Sequence, residues 1–282
     1  MTIMPENHCF FAAGTPVLTD SGYMEIERLR KGDSVITQSC DSVKIKEIKI
    51  SEPQEVLELN AQGILPIQAT PNCTFVVRTK HGETFSNTYT KPLHAITEGD
   101  YIGVPIITTE ENPHNIPKEE CYSLGNYLGR KYNLFNTSEI SADIQPDSSG
   151  PFEDIGMDIL CLPDECVRAF VEGYFECGNH IRPKTCCKTD NFEFAVNMCL
   201  AIQKAFKVGC YICTSKLFSS GKYIVTFNPE PVGRSWVVID NAIWYPVYDV
   251  KPVNHGNYFY CIETEKECAY IVQNCIIYGM EG

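Results

Sequence analysis

The stretch CFFAAGTPVLTDSGYMEIERLRKGDSV, Cys9 to Val35, decides the fold. A cysteine precedes a short strand pattern over Thr15 to Thr19. Turn residues Asp20-Ser21-Gly22 follow, then a second strand pattern, then Gly32-Asp33. A similar phrase returns in FSNTYTKPLHAITEGDYIGVP, residues 85–105, with Gly99-Asp100 where Gly32-Asp33 stood. In both copies an apolar stretch (24–29, then 92–96) leads into Gly-Asp. Ser34-Val35-Ile36 or Tyr101-Ile102-Gly103-Val104 comes next. A repeated strand–turn–strand unit predicts a duplicated all-β module.

The rest of the chain narrows the class. Its 282 residues suffice for one large or two modest domains, and 44% hydrophobic with 21% charged residues is the balance of an ordinary folded protein. No run approaches the ~18 apolar residues of a membrane span. MTIMPENH lacks the basic and apolar regions of a signal peptide, which predicts a cytoplasmic or virion location in a reducing compartment. The 15 cysteines are accordingly expected to be mostly thiols. A net charge of −13 disfavours non-specific nucleic-acid binding. Neither Cys210-Tyr211-Ile212-Cys213 nor Cys186-Cys187 has a second half with metal-ligand spacing, so buried thiols are expected there, with no cofactor or metal. The 6 histidines are scattered, and His8 and His94 are read as surface residues.

Texture divides the chain in three. Residues 9–107 are β-rich, with period-2 patches such as Val43 to Ile48, and the polar, Pro-bearing 108–120 reads as a linker. Residues 121–235 carry helical patterns, and 236–282 are β-like again. A β domain interrupted by an insert is therefore expected.

The Cys9 phrase and its Gly-Asp repeat resemble the Hint domain of inteins and hedgehog-type proteins. The resemblance implies a mainly β, discontinuous Hint domain with an inserted α+β domain. It also implies autocatalytic peptide-bond cleavage, in which the Cys9 thiol attacks the preceding carbonyl and converts the His8–Cys9 bond to a thioester. Thr70-Pro71-Asn72-Cys73, after a glycine-led strand pattern (63–69), falls where the family has Thr-x-x-His. Thr70 then takes the orienting role, and Cys73 stands where the proton-donating histidine belongs. A thiol with a reference pKa of about 8.5 is a poor general acid near neutral pH, and both residues can equally be core. Cys261 occupies the Asp-or-Cys position of the penultimate strand, and Cys268 another histidine position.

Two alignments of the C-terminal end stay open. In one, Gln273-Asn274-Cys275 is the splice junction, where Asn274 cyclises and Cys275 accepts the acyl group. In the other, these residues form a turn, Ile276-Ile277-Tyr278 is the last strand, and Gly279-Met280-Glu281 replaces the family's His-Asn-Cys.

CYSLGNYLGRKYN (121–133) and FVEGYFECGNH (170–180) resemble the paired LAGLIDADG helices of homing endonucleases. Small residues Gly125, Gly129, Gly173 and Cys177 permit close helix packing. Arg130 and Gly178 stand where that family's metal-binding carboxylates belong, and Glu176 falls two residues early. Residues 115–235 hold 12 basic and 15 acidic side chains, so the basic surface a nuclease needs is missing. Endonuclease activity is expected to be absent and DNA is not an expected partner. The resemblance thus implies self-processing, with activity impaired or lost, on the chain's own flanking peptide bonds. The alternative is an inert intein-derived structural or binding protein with an unknown protein partner, such as a virus-particle component.

Overall fold

The computed structural model describes residues 8–37, 39, 41–52, 55–107, 115–133, 157–176, 186–214, 223–227, 235–254, 256, 258–266, 269–273 and 275–278. The chain forms two compact units, 1–105 with 231–282, and 106–230.

In chain order the strands are β1 Phe11–Ala12, β2 Pro16–Thr19, β3 Gly22–Glu25, β4 Ser34–Ile36, β5 Ser42–Ser51, β6 Leu57–Ala61, β7 Ile67–Ala69, β8 Thr74–His81, β9 Thr84–Phe85, β10 Tyr89–Pro92 and β11 Asp100–Pro105. The second unit adds β12 Cys186–Thr189, β13 Cys210–Thr214 and β14 Tyr223–Phe227. The first resumes with β15 Val237–Ile239, β16 Ala242–Pro252, β17 Phe259–Thr264, β18 Ala269–Val272 and β19 Cys275–Tyr278. The chain is thus mainly β, with one β unit interrupted by a helical one, as the resemblance implies.

The Gly-Asp repeat is a structural repeat down to its hydrogen bonds. Each copy enters a 3-10 turn, Ile26–Arg28 or Leu93–Ala95, closed by a backbone bond from Leu29 N–H to Ile26 O or from Ile96 N–H to Leu93 O. The glycine then takes positive φ, 94° at Gly32 and 110° at Gly99, a region that a Cβ disfavours. The aspartate closes the turn on the residue three before it. Asp33 Oδ2 accepts from Arg30 N at 2.7 Å, and Asp100 Oδ2 from Thr97 N at 2.8 Å.

The repeat extends to the whole sheet. Its strand order is β10-β8-β11-β16-β6-β7-β1-β17-β5-β4-β2-β18-β19, with β3 on β2 and β19 returning to β8. Exchanging β1 with β7, β2 with β8, β3 with β10, β4 with β11, β5 with β16, β6 with β17 and β18 with β19 leaves every one of these pairings intact. The first unit is therefore two copies of one chain path about a pseudo-twofold axis between β1 and β7, where Phe11 faces Ala69. The copies also trade strands. β6 leaves β5 and pairs with β16, and β17 leaves β16 and pairs with β5. Phe11, Val17, Ile26, Val35, Phe75 and Tyr270, all under 2% exposed, share one core drawn from both copies.

Symmetry also explains where the second unit enters. The turn between β4 and β5 lies between Ile36 and its partner Ser42. Its counterpart lies between Pro105 and its partner Ala242. The insert occupies the connection that a short turn fills in the first copy. It returns through β15 and a two-residue turn, Asp240-Asn241, both at positive φ, as a type I′ hairpin requires.

The second unit contains α1 Lys118–Asn133, α2 Met157–Leu160, α3 Asp164–Glu176 and α4 Phe192–Phe206, with β12, β14 and β13 as a three-stranded sheet. Acidic residues occupy the first turns of α1 and α3, where the helix dipole favours them. Asn191 Oδ1 caps α4 by accepting from Phe194 N at 3.2 Å. α1 and α3 touch backbone to backbone through glycine. A Cβ on Gly125 would lie 1.9 Å from Phe170 O, one on Gly129 2.4 Å from Tyr174 O, and one on Gly173 2.2 Å from Tyr122 O. The helical pattern after the second glycine-bearing helix is α4, followed by the paired strands β13 and β14.

Three local expectations need correction. The glycine-led strand over 63–69 is only β7, because Gly63 sits at φ 73° in the turn that ends β6. α1 starts inside the segment read as linker, at Lys118, with Pro117 O accepting from Glu120 N and Cys121 N. Cys213 is exposed, while Cys210 is buried.

Gly125→Ala is expected to push α1 and α3 apart and cost about 1–3 kcal/mol of stability, whereas Gly256→Ala, with open space around it, is expected to be silent by the same urea titration. Asp100 is a second test. Burial works to raise its pKa, but hydrogen bonds from Lys91, Thr79 and the Thr97 backbone outweigh it, so the carboxyl lies below its ordinary value. A depressed pKa adds stability that is present above the unfolded value of about 3.9 and is lost as pH falls through the folded value. Asp100→Asn is expected to cost about 1.5–3 kcal/mol at neutral pH and to weaken the acid dependence of the urea midpoint. An unchanged acid limb would contradict this.

Candidate active site

The residues that converge on the pseudo-axis come from four elements: the segment before β1, the turn between β7 and β8, and the paired strands β17 and β5. Thr70 leads the turn. Its backbone N–H donates to Phe10 O at 2.9 Å, and its hydroxyl accepts from Phe10 N at 3.0 Å. The chain before β1 is thereby held on both sides of Phe10. The same hydroxyl lies 3.4 Å from His8 O, the carbonyl of the His8–Cys9 bond. It also lies 3.6 Å from Cys73 Sγ. Its single proton serves one of these acceptors at a time.

Cys9 and Cys73 are joined by a disulfide, with Cα atoms 4.3 Å apart and 64 positions of chain between them. This corrects the expectation of a free thiol at Cys9. The other eight described cysteines whose side chains are defined are thiols. Cys73 is fully buried and Cys9 half-buried. By loop-closure entropy, a link of this length contributes about 4 kcal/mol to the fold.

Cys261, on β17, is buried at 4% exposure. Burial, then the charge of Glu263, pushes its thiol up to about 12, against the opposing pull of Lys49 and the Cys9 backbone N–H. Cys261 therefore stays protonated at physiological pH. It pairs across the ladder with Lys49, and Glu263 lies two residues further along β17.

A charged group missed in the sequence surrounds His8. Lys49 Nζ donates to Glu263 Oε1 and lies 3.3 Å from His8 Nε2, while His8 Nδ1 is 3.7 Å from the same carboxylate oxygen. The Glu263 hydrogen bond is the main cause of a raised Lys49 pKa. His8, at 18% side-chain exposure, is clasped rather than a surface residue, whereas His94 is exposed. The clasp was legible only in part: Glu263 and Lys49 lie on the same face of paired strands, but that pairing spans more than two hundred residues.

The C-terminal candidates sit elsewhere. Val272 pairs with Cys275, and Gln273 lies in the turn that follows β18. The last strand covers Ile276-Ile277-Tyr278 as in the second alignment, but Cys275 belongs to that strand and not to the turn. Gln273, at φ 48°, donates from Nε2 to Leu65 O at 2.6 Å. Asn274, Cys268, Cys177 and Gly178 lie outside the described residues, as does the side chain of Cys275. Arg130 is exposed at the described end of α1. No described helix is long and apolar enough to cross a membrane.

No protein-family model and no curated protein matches the chain. Several solved structures do. A bacterial intein-like domain from Clostridium thermocellum aligns over 96% of this chain and 98% of its own at 12% identity, with a TM-score of 0.36. A variant of the Ssp DnaB mini-intein aligns over 99% of each chain at 9% identity, TM-score 0.42. The gp41-1 intein covers 34% of this chain and 68% of its own at 17% identity, TM-score 0.28. At such identities and scores the strand pairings above, and not the matches, define the fold.

Proposed function

We propose that the first unit is an intein-like Hint module whose reaction is self-cleavage at the His8–Cys9 bond. The observation that supports it best is the Thr70 hydroxyl, 3.4 Å from the His8 carbonyl oxygen and fixed by the Phe10 contacts. The Cys9 thiolate adds to the His8 carbonyl carbon, and charge develops on the oxygen beside that hydroxyl. The carbon–nitrogen bond then breaks and the Cys9 nitrogen takes a proton. His8 is left as a thioester on Cys9 Sγ. An external nucleophile completes the cleavage. With Cys73 in the histidine position, no strong acid stands ready to protonate the departing nitrogen, so a slow reaction is expected.

The Asn274 cyclisation and acyl transfer to Cys275 belong to the full splicing reaction. They are carried only by the family resemblance. The second unit is proposed as a LAGLIDADG-derived insert without nuclease activity, supported by the glycine contacts of α1 and α3 and by the exposed Arg130.

A second reading, an inert protein with a structural or binding role, is favoured by one observation: the proposed nucleophile is held in a disulfide. Intact mass separates the two. Incubated with excess dithiol, the chain is expected to lose residues 1–8, and Cys9→Ala is expected to abolish the loss. Thr70→Ala is expected to slow it about a hundredfold. Loss of the tail after residue 274, abolished by Asn274→Ala, would add the C-terminal step. An unchanged mass over days would remove the self-processing reading and leave the inert one.

A further inference from the structure

The disulfide joins the residue proposed to attack with the residue standing where a proton donor is expected. A sulfur in a disulfide has no lone thiolate to add to a carbonyl, so the His8–Cys9 bond is safe while the link persists. The geometry decides how the link opens. Cys73 is fully buried and Cys9 half-buried, so an incoming thiolate meets Cys9 Sγ first. Cys73 then leaves as the thiolate. Thr70 Oγ1 lies 3.6 Å from Cys73 Sγ, and since a disulfide sulfur carries no proton, the hydroxyl is the donor that receives the developing charge.

The described thiol that touches the segment of Cys9 is a poor attacker. Cys261, whose Sγ meets the Cys9 backbone N–H, is kept protonated by burial and Glu263, and thiol–disulfide exchange needs a thiolate. An external reductant is the simpler source of the attacking thiolate.

From these contacts we propose that Cys9–Cys73 is a redox-active site whose co-substrate is an external dithiol, and that its reduction releases Cys9 for self-cleavage. This rests on the self-processing reading above. The balance is simple. The first thiolate of the dithiol attacks Cys9 Sγ, the S–S bond breaks, and Cys73 departs. The second thiol then attacks the mixed disulfide, frees Cys9 and closes the reductant into its own cyclic disulfide. Two electrons and two protons pass to the protein. A monothiol stalls at the mixed disulfide, with Cys9 still blocked, until a second molecule arrives. A dithiol is therefore expected to outperform a monothiol at equal thiol concentration.

The test uses the full chain. Protein purified without reductant is denatured, alkylated and digested. The expected product is a Cys9 peptide covalently bound to a Cys73 peptide, and alkylation of both cysteines would overturn the proposal whatever the fate of the peptide bond. Cleavage is read separately with hydroxylamine, which takes acyl groups from thioesters without reducing disulfides. Wild type is expected to resist hydroxylamine alone and to release residues 1–8 once a phosphine is added. Cys73→Ser, which cannot form the link, is expected to release them with hydroxylamine alone. Equal cleavage of wild type with and without phosphine would overturn the gate but leave self-processing intact. A linked peptide pair without cleavage in any arm, Cys73→Ser included, would sink the gate together with the self-processing reading, and the link would then be structural. Circular dichroism of Cys73→Ser confirms that the variant is folded.

Discussion

The chemistry of the β unit depends on a short seam at its pseudo-axis, Phe11 opposite Ala69, where the two copies of the repeated path touch. β1 is two residues long and β7 three, so backbone pairing at the axis itself is short, and the exchanged strands carry the rest of the joint. The seam is reinforced just outside the strands. Thr70 grips Phe10 from both sides with backbone and hydroxyl, and the Cys9–Cys73 bond ties the same two segments covalently. The reinforcement and the proposed reactive bond are the same few atoms. Thr70 could not be moved to suit chemistry without loosening the joint, and the joint could not be loosened without moving the His8 carbonyl.

On the proposed reading, a cysteine at position 73 where a histidine would donate a proton changes more than an acid strength. An imidazole there would offer a proton and no bond. A thiol offers little acidity but can become covalent with its neighbour. The site exchanges a proton donor for a lock, and the charges nearby fit that exchange. Glu263 and Lys49 hold His8, while burial and the Glu263 charge keep the Cys261 thiol protonated.

Much of this was legible in local sequence. The Gly-Asp repeat could be read because each copy closes its turn with its own aspartate, three residues away. The glycines of α1 and α3 could be read because small residues at helical spacing leave few other uses. What could not be read depends on distance along the chain. The strand exchange places β6 on β16 and β17 on β5, pairings that no local pattern encodes. The Cys9–Cys73 bond needs the turn after β7 to fold back onto the segment before β1. Each cysteine was assigned its own role from local motif position, and nothing local says that they touch. The strand pattern at 63–69 failed for a smaller reason: Gly63 serves a turn, and an apolar run after a glycine does not reveal where the turn ends.

The traded strands set a clock on biosynthesis. β1 near the start of the chain finds one of its two partners, β17, only after residue 264 has been made, and β5 waits for the same strand. A ribosome adds about 5–20 residues per second, so the surroundings of Cys9 stay half-built for on the order of tens of seconds after that cysteine is made. The insert lengthens the wait, because it lies between the two partners and must be translated first. A nascent chain thus carries the His8–Cys9 bond in unassembled surroundings, which are completed only when nearly the whole β unit is ready to fold together.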